Sequence, residues 1–166
     1  MLSVLCACNP TINFDLTQSG SGTIPGTTVP PPPDVVPINF ALPQLQNLNS
    51  SNLQGFPSSQ TAKDHIRSAH AKKITITATK PPGQTLSFLS SVAFSISATG
   101  QQTRQFAHLS PFPEATSADL QLDDVDLAPY LKADSFSITT AVSGRLQQND
   151  IDLKADIDIG VEATLF

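Results

Sequence analysis

A chain of 166 residues has room for one domain with a real core and is short for two. Only 14% of its residues are charged, against about 25% in an average globular protein; Ser, Thr, Asn and Gln fill the gap, as in many exported β-proteins. The net charge of −5, with Lys72-Lys73 the only adjacent pair among nine scattered basic residues, argues against a nucleic-acid partner, whose phosphates demand clustered Lys and Arg.

The opening, MLSVLCACNP, holds both cysteines, Cys6 and Cys8. A disulfide across one intervening residue closes a strained ring. Two thiolates with the nearest histidine as far away as His65 are too few for a metal site. Leu5-Cys6-Ala7-Cys8 resembles a bacterial lipobox, in which an apolar residue and two small ones precede the cysteine that is acylated. The resemblance implies cleavage before Cys8, lipidation of Cys8 and a mature chain with no free thiol, which accounts for cysteine being confined to this stretch. Cys6 stands where Ser, Ala or Thr is more usual, and no basic region or long apolar stretch precedes the box. The expectation is that residues 1–8 are the remnant of a signal peptide whose start lies upstream of Met1. Asn9, rather than Asp, follows the cysteine, which in such proteins implies outer-membrane sorting where the organism has an outer membrane.

Residues 9–34 predict an N-terminal strand followed by a spacer. TINFDLT alternates Ile12, Phe14 and Leu16, while QSGSGTIPGTTVPPPPD, residues 18–34, is rich in Gly, Ser, Thr and Pro. The proline run favours stiff polyproline II and the Gly-Ser part is flexible. Two readings stand, a tether holding a domain off a membrane and a loop of the domain itself.

Residues 35–166 predict a β-sandwich domain, because their dominant period is two. VPINFAL places Val36, Ile38, Phe40 and Leu42 on one face, and Pro37 marks an edge strand or a strand start. SSQTAKDHIRSAHAKK predicts one short helix, capped by Ser59 or Thr61 with Ile66 inward. KKITITATK turns Ile74, Ile76 and Ala78 inward, and SVAFSISATG does the same with Val92, Phe94, Ile96 and Ala98. RQFAHL is a short strand; ADLQLDDVDL carries Leu120, Leu122, Val125 and Leu127 with a phase slip at Asp123-Asp124, a bulge or a break. LAPYLKA predicts a single helical turn with Pro129 near its start. SFSITTAVSG buries Phe136, Ile138, Thr140 and Val142, and DIDLKADIDIGVEATLF alternates Ile151, Leu153, Ala155, Ile157, Ile159 and Val161; GRLQQND between them reads as a hairpin loop. Clean alternation gives each strand one wet face, so the fold class is all-β, an antiparallel two-sheet sandwich, immunoglobulin-like or related, with at most one short helix. The segments FLSSVAFSIS and VDLAPYL are similar to strands and turns of small uncharacterised β-sandwich lipoproteins of bacteria. That resemblance covers roughly half the chain and transfers no site residue.

Chemistry is sparse. His65 and His70 are five apart, about 140° around a helix or on opposite faces of a strand, so they do not converge on one metal. His108 stands alone, and no G-x-S-x-G or phosphate loop occurs. Carboxylates cluster at Asp119, Asp123, Asp124 and Asp126, and again at Asp150, Asp152, Asp156, Asp158 and Glu162. Asp123, Asp124 and Asp126 are the candidate Ca²⁺ ligands, since that ion wants six to eight oxygens; Asp152, Asp156 and Asp158 read as a solvated stripe that keeps a long strand from edge-to-edge pairing. The sequence thus predicts a non-enzymatic envelope lipoprotein with a structural or binding role, held to the membrane by a lipid on Cys8, with no cofactor and no nucleic acid, its protein or glycan partner open. The alternative is a secreted or envelope module that binds its ligand through Ca²⁺ or a glycan. For sugar stacking it would have Tyr130 as its one Tyr, and no Trp.

Overall fold

The computed structural model of the chain describes residues 10–31, 33–57 and 61–164. The lipobox cysteines, Asn9 and the capping candidate Ser59 lie outside the described residues. The strands are β1 (Thr11–Ile24), β2 (Val36–Ile38), β3 (Ile66–Lys80), β4 (Leu89–Ala98), β5 (Arg104–Leu109), β6 (Ser117–Asp119), β7 (Gln121–Leu122), β8 (Phe136–Gly144) and β9 (Ile151–Thr164). Among the described residues helix is confined to two single α turns, α1 (Thr61–Asp64) and α2 (Ala128–Leu131), and two 3-10 turns at Pro43–Leu45 and Ser50–Asn52. A four-stranded sheet in the order β1-β9-β3-β6 packs on a five-stranded sheet in the order β2-β8-β4-β5-β7, and every pairing is antiparallel. The protein is an all-β antiparallel sandwich whose first and last strands lie side by side.

β9 shows why. Its inward residues Ile151, Leu153, Ala155, Ile157, Ile159 and Val161 are all buried, and every residue between them faces water or is half-buried. On the opposing sheet Val92, Phe94, Ile96, Phe136 and Ile138 close the core, with Phe94 and Phe106 edge to face at 6.4 Å between ring centroids. β2 is an edge strand, as Pro37 requires, and its ladder stops at Ile38 although Phe40 and Leu42 continue the buried face.

Four sequence expectations change. The Gly-Ser stretch of residues 18–24 is neither tether nor loop: β1 runs through it, paired with β9 from Thr11↔Thr164 to Ile24↔Ile151. Its glycines are packing devices, since a Cβ on Gly20 would lie 2.8 Å from Leu45 Cγ and one on Gly22 would meet Phe40 Cε2 at 2.8 Å and the Ala41 carbonyl. The helix read over SSQTAKDHIRSAHAKK is one turn, and β3 takes the rest. Register shifts between Ile66 and Ser68 and between Ala71 and Lys73 put the buried residues at Ile66, Ala69, Ile74 and Ile76, a spacing that hides a period of two. The strand read over ADLQLDDVDL splits at Leu120, ahead of the break at Asp123-Asp124: β6 pairs with β3, β7 pairs with β5, and Leu120 is buried at the crossing while Leu122 is exposed. Finally, β8 and β9 are not a hairpin. They belong to different sheets, and residues 145–150 arch over one end of the sandwich between them.

Candidate functional site

One end of the sandwich gathers several irregular segments. It holds the start of β1, the turn of residues 99–103 between β4 and β5, the segment 123–135 around α2, and α1. The turn reverses at Gly100, whose φ of +79° suits glycine. Tyr130 is buried, and its hydroxyl donates to the Gln102 carbonyl at 2.5 Å, tying α2 to the turn. Asp126 Oδ1 accepts from the backbone N–H of Ala69 at 2.9 Å and of Ala128 at 3.0 Å, so one carboxylate oxygen ties the first residue of α2 to β3. Leu127 N–H adds a bond to the Ala69 carbonyl at 2.7 Å, and Ser50 Oγ, in the 3-10 turn, donates to the Leu131 carbonyl at 2.8 Å. Between these fixed walls lies an open cleft of about 540 Å³, lined by Gly100, Gln102, Arg104, Asp124, Val125 and Tyr130 among others.

The candidate Ca²⁺ ligands line up with three different partners here. Asp126 is spent on backbone N–H groups. Asp123 Oδ2 accepts from Gln105 Nε2 at 3.0 Å, and its Oδ1 lies 3.1 Å from His108 Nδ1, off the line of a hydrogen bond. Asp124 is fully exposed, 3.6 Å from His70 Nδ1. Among the described residues no group of three His, Cys, Asp or Glu side chains is placed to share a metal ion. Tyr130, the aromatic that a glycan reading would need, is inside the protein with its hydroxyl engaged. His65 is apart from both other histidines, its carbonyl accepting from Thr164 N–H at 3.0 Å.

The second cluster of carboxylates forms the outer face of the four-stranded sheet. Because β9 is a central strand, Asp152, Asp156 and Asp158 do not guard an edge as the sequence suggested. The edge belongs to β1, and it is covered by chain: Thr17 N–H bonds the Gln54 carbonyl at 3.0 Å, and Ser21 N–H bonds Gln44 Oε1 at 3.1 Å. On the face itself hydroxyls and lysines satisfy the carboxylates. Thr75 donates to Asp119 at 2.6 Å, Thr23 to Asp152 at 2.6 Å and Ser19 to Asp156 at 2.5 Å. Lys73, Lys80 and Lys154 lie 3.5, 3.2 and 2.8 Å from the same three groups. All three acids are held below the usual aspartate range. The Thr75 hydrogen bond is the main cause for Asp119 and the Thr23 hydrogen bond for Asp152; at Asp156, burial pulls the other way and is outweighed by the bonds from Lys154 and Ser19. Gly160 opens a gap in β9 over which the Lys72 side chain passes from β3 to Asp15 on β1, with Nζ 2.8 and 2.9 Å from the carboxylate oxygens. The arrangement is a hydrated, internally neutralised surface.

Sequence reasoning missed Arg104 and the cleft. Its signal for Asp126 was present, an acceptor side chain just before a Pro-containing helical turn. Arg104 carried none, because only the tie between α2 and the turn makes it a wall residue.

No family model and no curated protein matches the chain. Among solved structures it is similar to the BFDV capsid protein in a decameric form, at 11% identity and a TM-score of 0.47, covering 93% of this chain and 99% of that one. The 60-mer form of the same capsid protein gives 10% identity and a TM-score of 0.44, with 94% of each chain covered. Likeness at this level says nothing of what the chain does.

Proposed function

We propose that the protein is a non-enzymatic lipoprotein of the bacterial cell envelope, a β-sandwich carried on a membrane by acyl chains at Cys8, with a structural or binding role. The observation that carries the reading is where β1 begins. The lipobox-like Leu5-Cys6-Ala7-Cys8 ends three positions before Thr11, the first residue of a strand paired along its whole length. No other cysteine follows in the sequence. A structural or binding role is supported by the wet faces. The carboxylates with lowered pKa sit on an exposed sheet, hydrogen-bonded by hydroxyls and paired with lysines, rather than paired in a cleft with a group shifted the other way. Asn9 favours the outer membrane as the site of anchoring where there is one.

Expression of the full reading frame in a bacterium tests this. The membrane fraction should yield a mature protein that begins at Cys8 and carries the mass of attached acyl chains. A soluble product that retains Met1 removes the reading.

A further inference from the structure

We infer that the end of the sandwich bearing the start of β1, the 99–103 turn and α2 faces the bilayer at close range, with Arg104 and Lys132 meeting lipid headgroup phosphates. The inference rests on lipidation at Cys8 and adds an orientation to it.

Chain length sets the distance. Three residue steps from Cys8 to Thr11 span at most about 11 Å. β1 itself, with 14 residues, extends about 45 Å at the usual strand rise. Of the Gly-Pro-rich residues 18–34 that could have held the domain away from a membrane, 18–24 are locked into β1 and the rest follow it in sequence, away from the anchor. No spacer therefore separates an acyl chain on Cys8 from the sheet, and the two ends of the sandwich are inequivalent. The near end includes Ile66, which pairs with Ala163, and the 99–103 turn, which α2 ties down through Tyr130. The far end includes residues 145–150 and the close of β1 at Ile24.

Charge supplies a second observation. Of the chain's nine Lys and Arg side chains, six make ion pairs among the described residues and Arg145 bonds the Ser87 carbonyl at 3.4 Å. The two whose side chains have neither an ion pair nor a hydrogen bond there, Arg104 and Lys132, are both exposed and both at the near end, Arg104 at the start of β5 on the cleft wall and Lys132 directly after α2. Of the acidic groups at this end, Asp134 meets Lys63 and Glu162 meets Arg67; Asp126 accepts from backbone N–H groups, Asp123 from Gln105, Asp124 lies by His70, and Asp64 is the last. The anchor sets the orientation, and the two cations supply phosphate contacts that strengthen on anionic lipid.

The test uses the lipidated full-length protein in vesicles, with one fluorophore on a new cysteine at Gln101→Cys in the near turn or Gln148→Cys in the far loop. Both positions are exposed, and Cys8 carries no thiol once acylated. A quencher on the lipid headgroup should dim the Gln101 label several-fold more than the Gln148 label. A spacer of ten Gly and Ser residues inserted between Asn9 and Pro10 should erase most of that difference. In vesicles with anionic lipid the Gln101 quench should rise, and Arg104→Gln with Lys132→Gln should remove the rise. With acylation of Cys8 verified by mass, equal or reversed quenching overturns the orientation and leaves the lipoprotein reading standing, as does a difference that survives the spacer. An unacylated Cys8 removes both. A double variant that keeps the anionic-lipid response overturns the role given to the two cations.

Discussion

β1 and β9 are partners over 14 residues each, yet they are built on opposite principles. β9 is a central strand of its sheet, and it brings its own core: seven apolar side chains at alternate positions, all buried. β1 is the edge, and it brings apolar core residues only toward its ends, Phe14 and Leu16 in its first half and Ile24 at its close. Between them its inward positions include Gly20 and Gly22, and the space their side chains would fill belongs to Phe40, Ala41, Leu42 and Leu45 from the chain that folds over them. A strand can thus be specified from outside. Its register comes from a partner with a strict period, and its hydrophobic cover from a neighbouring segment that needs the strand to be small.

The largest effects should fall where each strand uses its own principle. Ile157→Ala in β9 deletes a fully buried side chain from a tight core and should cost about 2–5 kcal/mol in urea unfolding. Gly22→Val in β1 raises intrinsic strand propensity yet should destabilise by about 1–3 kcal/mol, because its Cβ meets the Ala41 carbonyl, and a backbone atom cannot rotate away as a side chain can. A neutral or stabilising Gly22→Val would show that the 39–45 segment is not packed on β1 as described, and the comparison would lose its second half.

The same contrast explains how much was legible beforehand. The period-two strands with their own apolar faces, β4, β8 and β9, could be read residue by residue, and so could the turn at Pro129 and the edge position of Pro37. What failed had a common physical origin in information lying elsewhere in the chain. The glycines of β1 look like linker until Leu45 is known to sit on them. The bulges of β3 add residues that turn an alternating face into a helix-like spacing at Ile66 and Ala69. Whether a loop such as residues 145–150 joins neighbours or crosses between sheets depends on which strand β9 prefers, and β1 supplies that partner. The cleft was invisible for the same reason, since the Tyr130 to Gln102 bond that shapes it joins positions 28 apart.

A smaller effect separates the two strands' wet faces by pH. Ser19 and Thr23 of β1 donate to Asp156 and Asp152 of β9, and Thr75 of β3 does the same for Asp119. These carboxyls titrate below their usual range in the folded state, so the unfolded chain binds more protons at a given acidic pH. Their contribution is fully present above the unfolded aspartate pKa of about 4 and is lost as pH falls through the lower folded values. The melting temperature should be flat from neutral pH down to about pH 5 on account of these groups and should decline below about pH 4. Carboxyl NMR titration should show Asp119 shifting back toward the ordinary value in Thr75→Val, since the hydrogen bond is its main cause. An unmoved Asp119 would transfer the credit to Lys73.

The smallest expected effect belongs to the acidic groups of the near end, where the sequence offered Ca²⁺ ligands. Three carboxylates within four positions invite such a reading, but a cation needs their oxygens free and convergent. Asp126 gives one oxygen to two backbone N–H groups, Asp123 is held by Gln105, and Asp124 stands in solvent beside His70. Gathering them would mean taking Asp126 from Ala128 and from Ala69 of β3, a loss of two hydrogen bonds before the ion gained any ligand. Linkage makes the outcome measurable, since an ion at about 100 times its dissociation constant stabilises a fold by about 2.7 kcal/mol, which for a domain this size raises the melting point by several degrees. Millimolar Ca²⁺ should therefore move the melting temperature by less than about 1 °C, as weak screening does. A larger rise that Mg²⁺ does not reproduce and that Asp124→Asn abolishes would mean that the end of the sandwich rearranges around the ion, and the walls of the cleft would have to be read as movable.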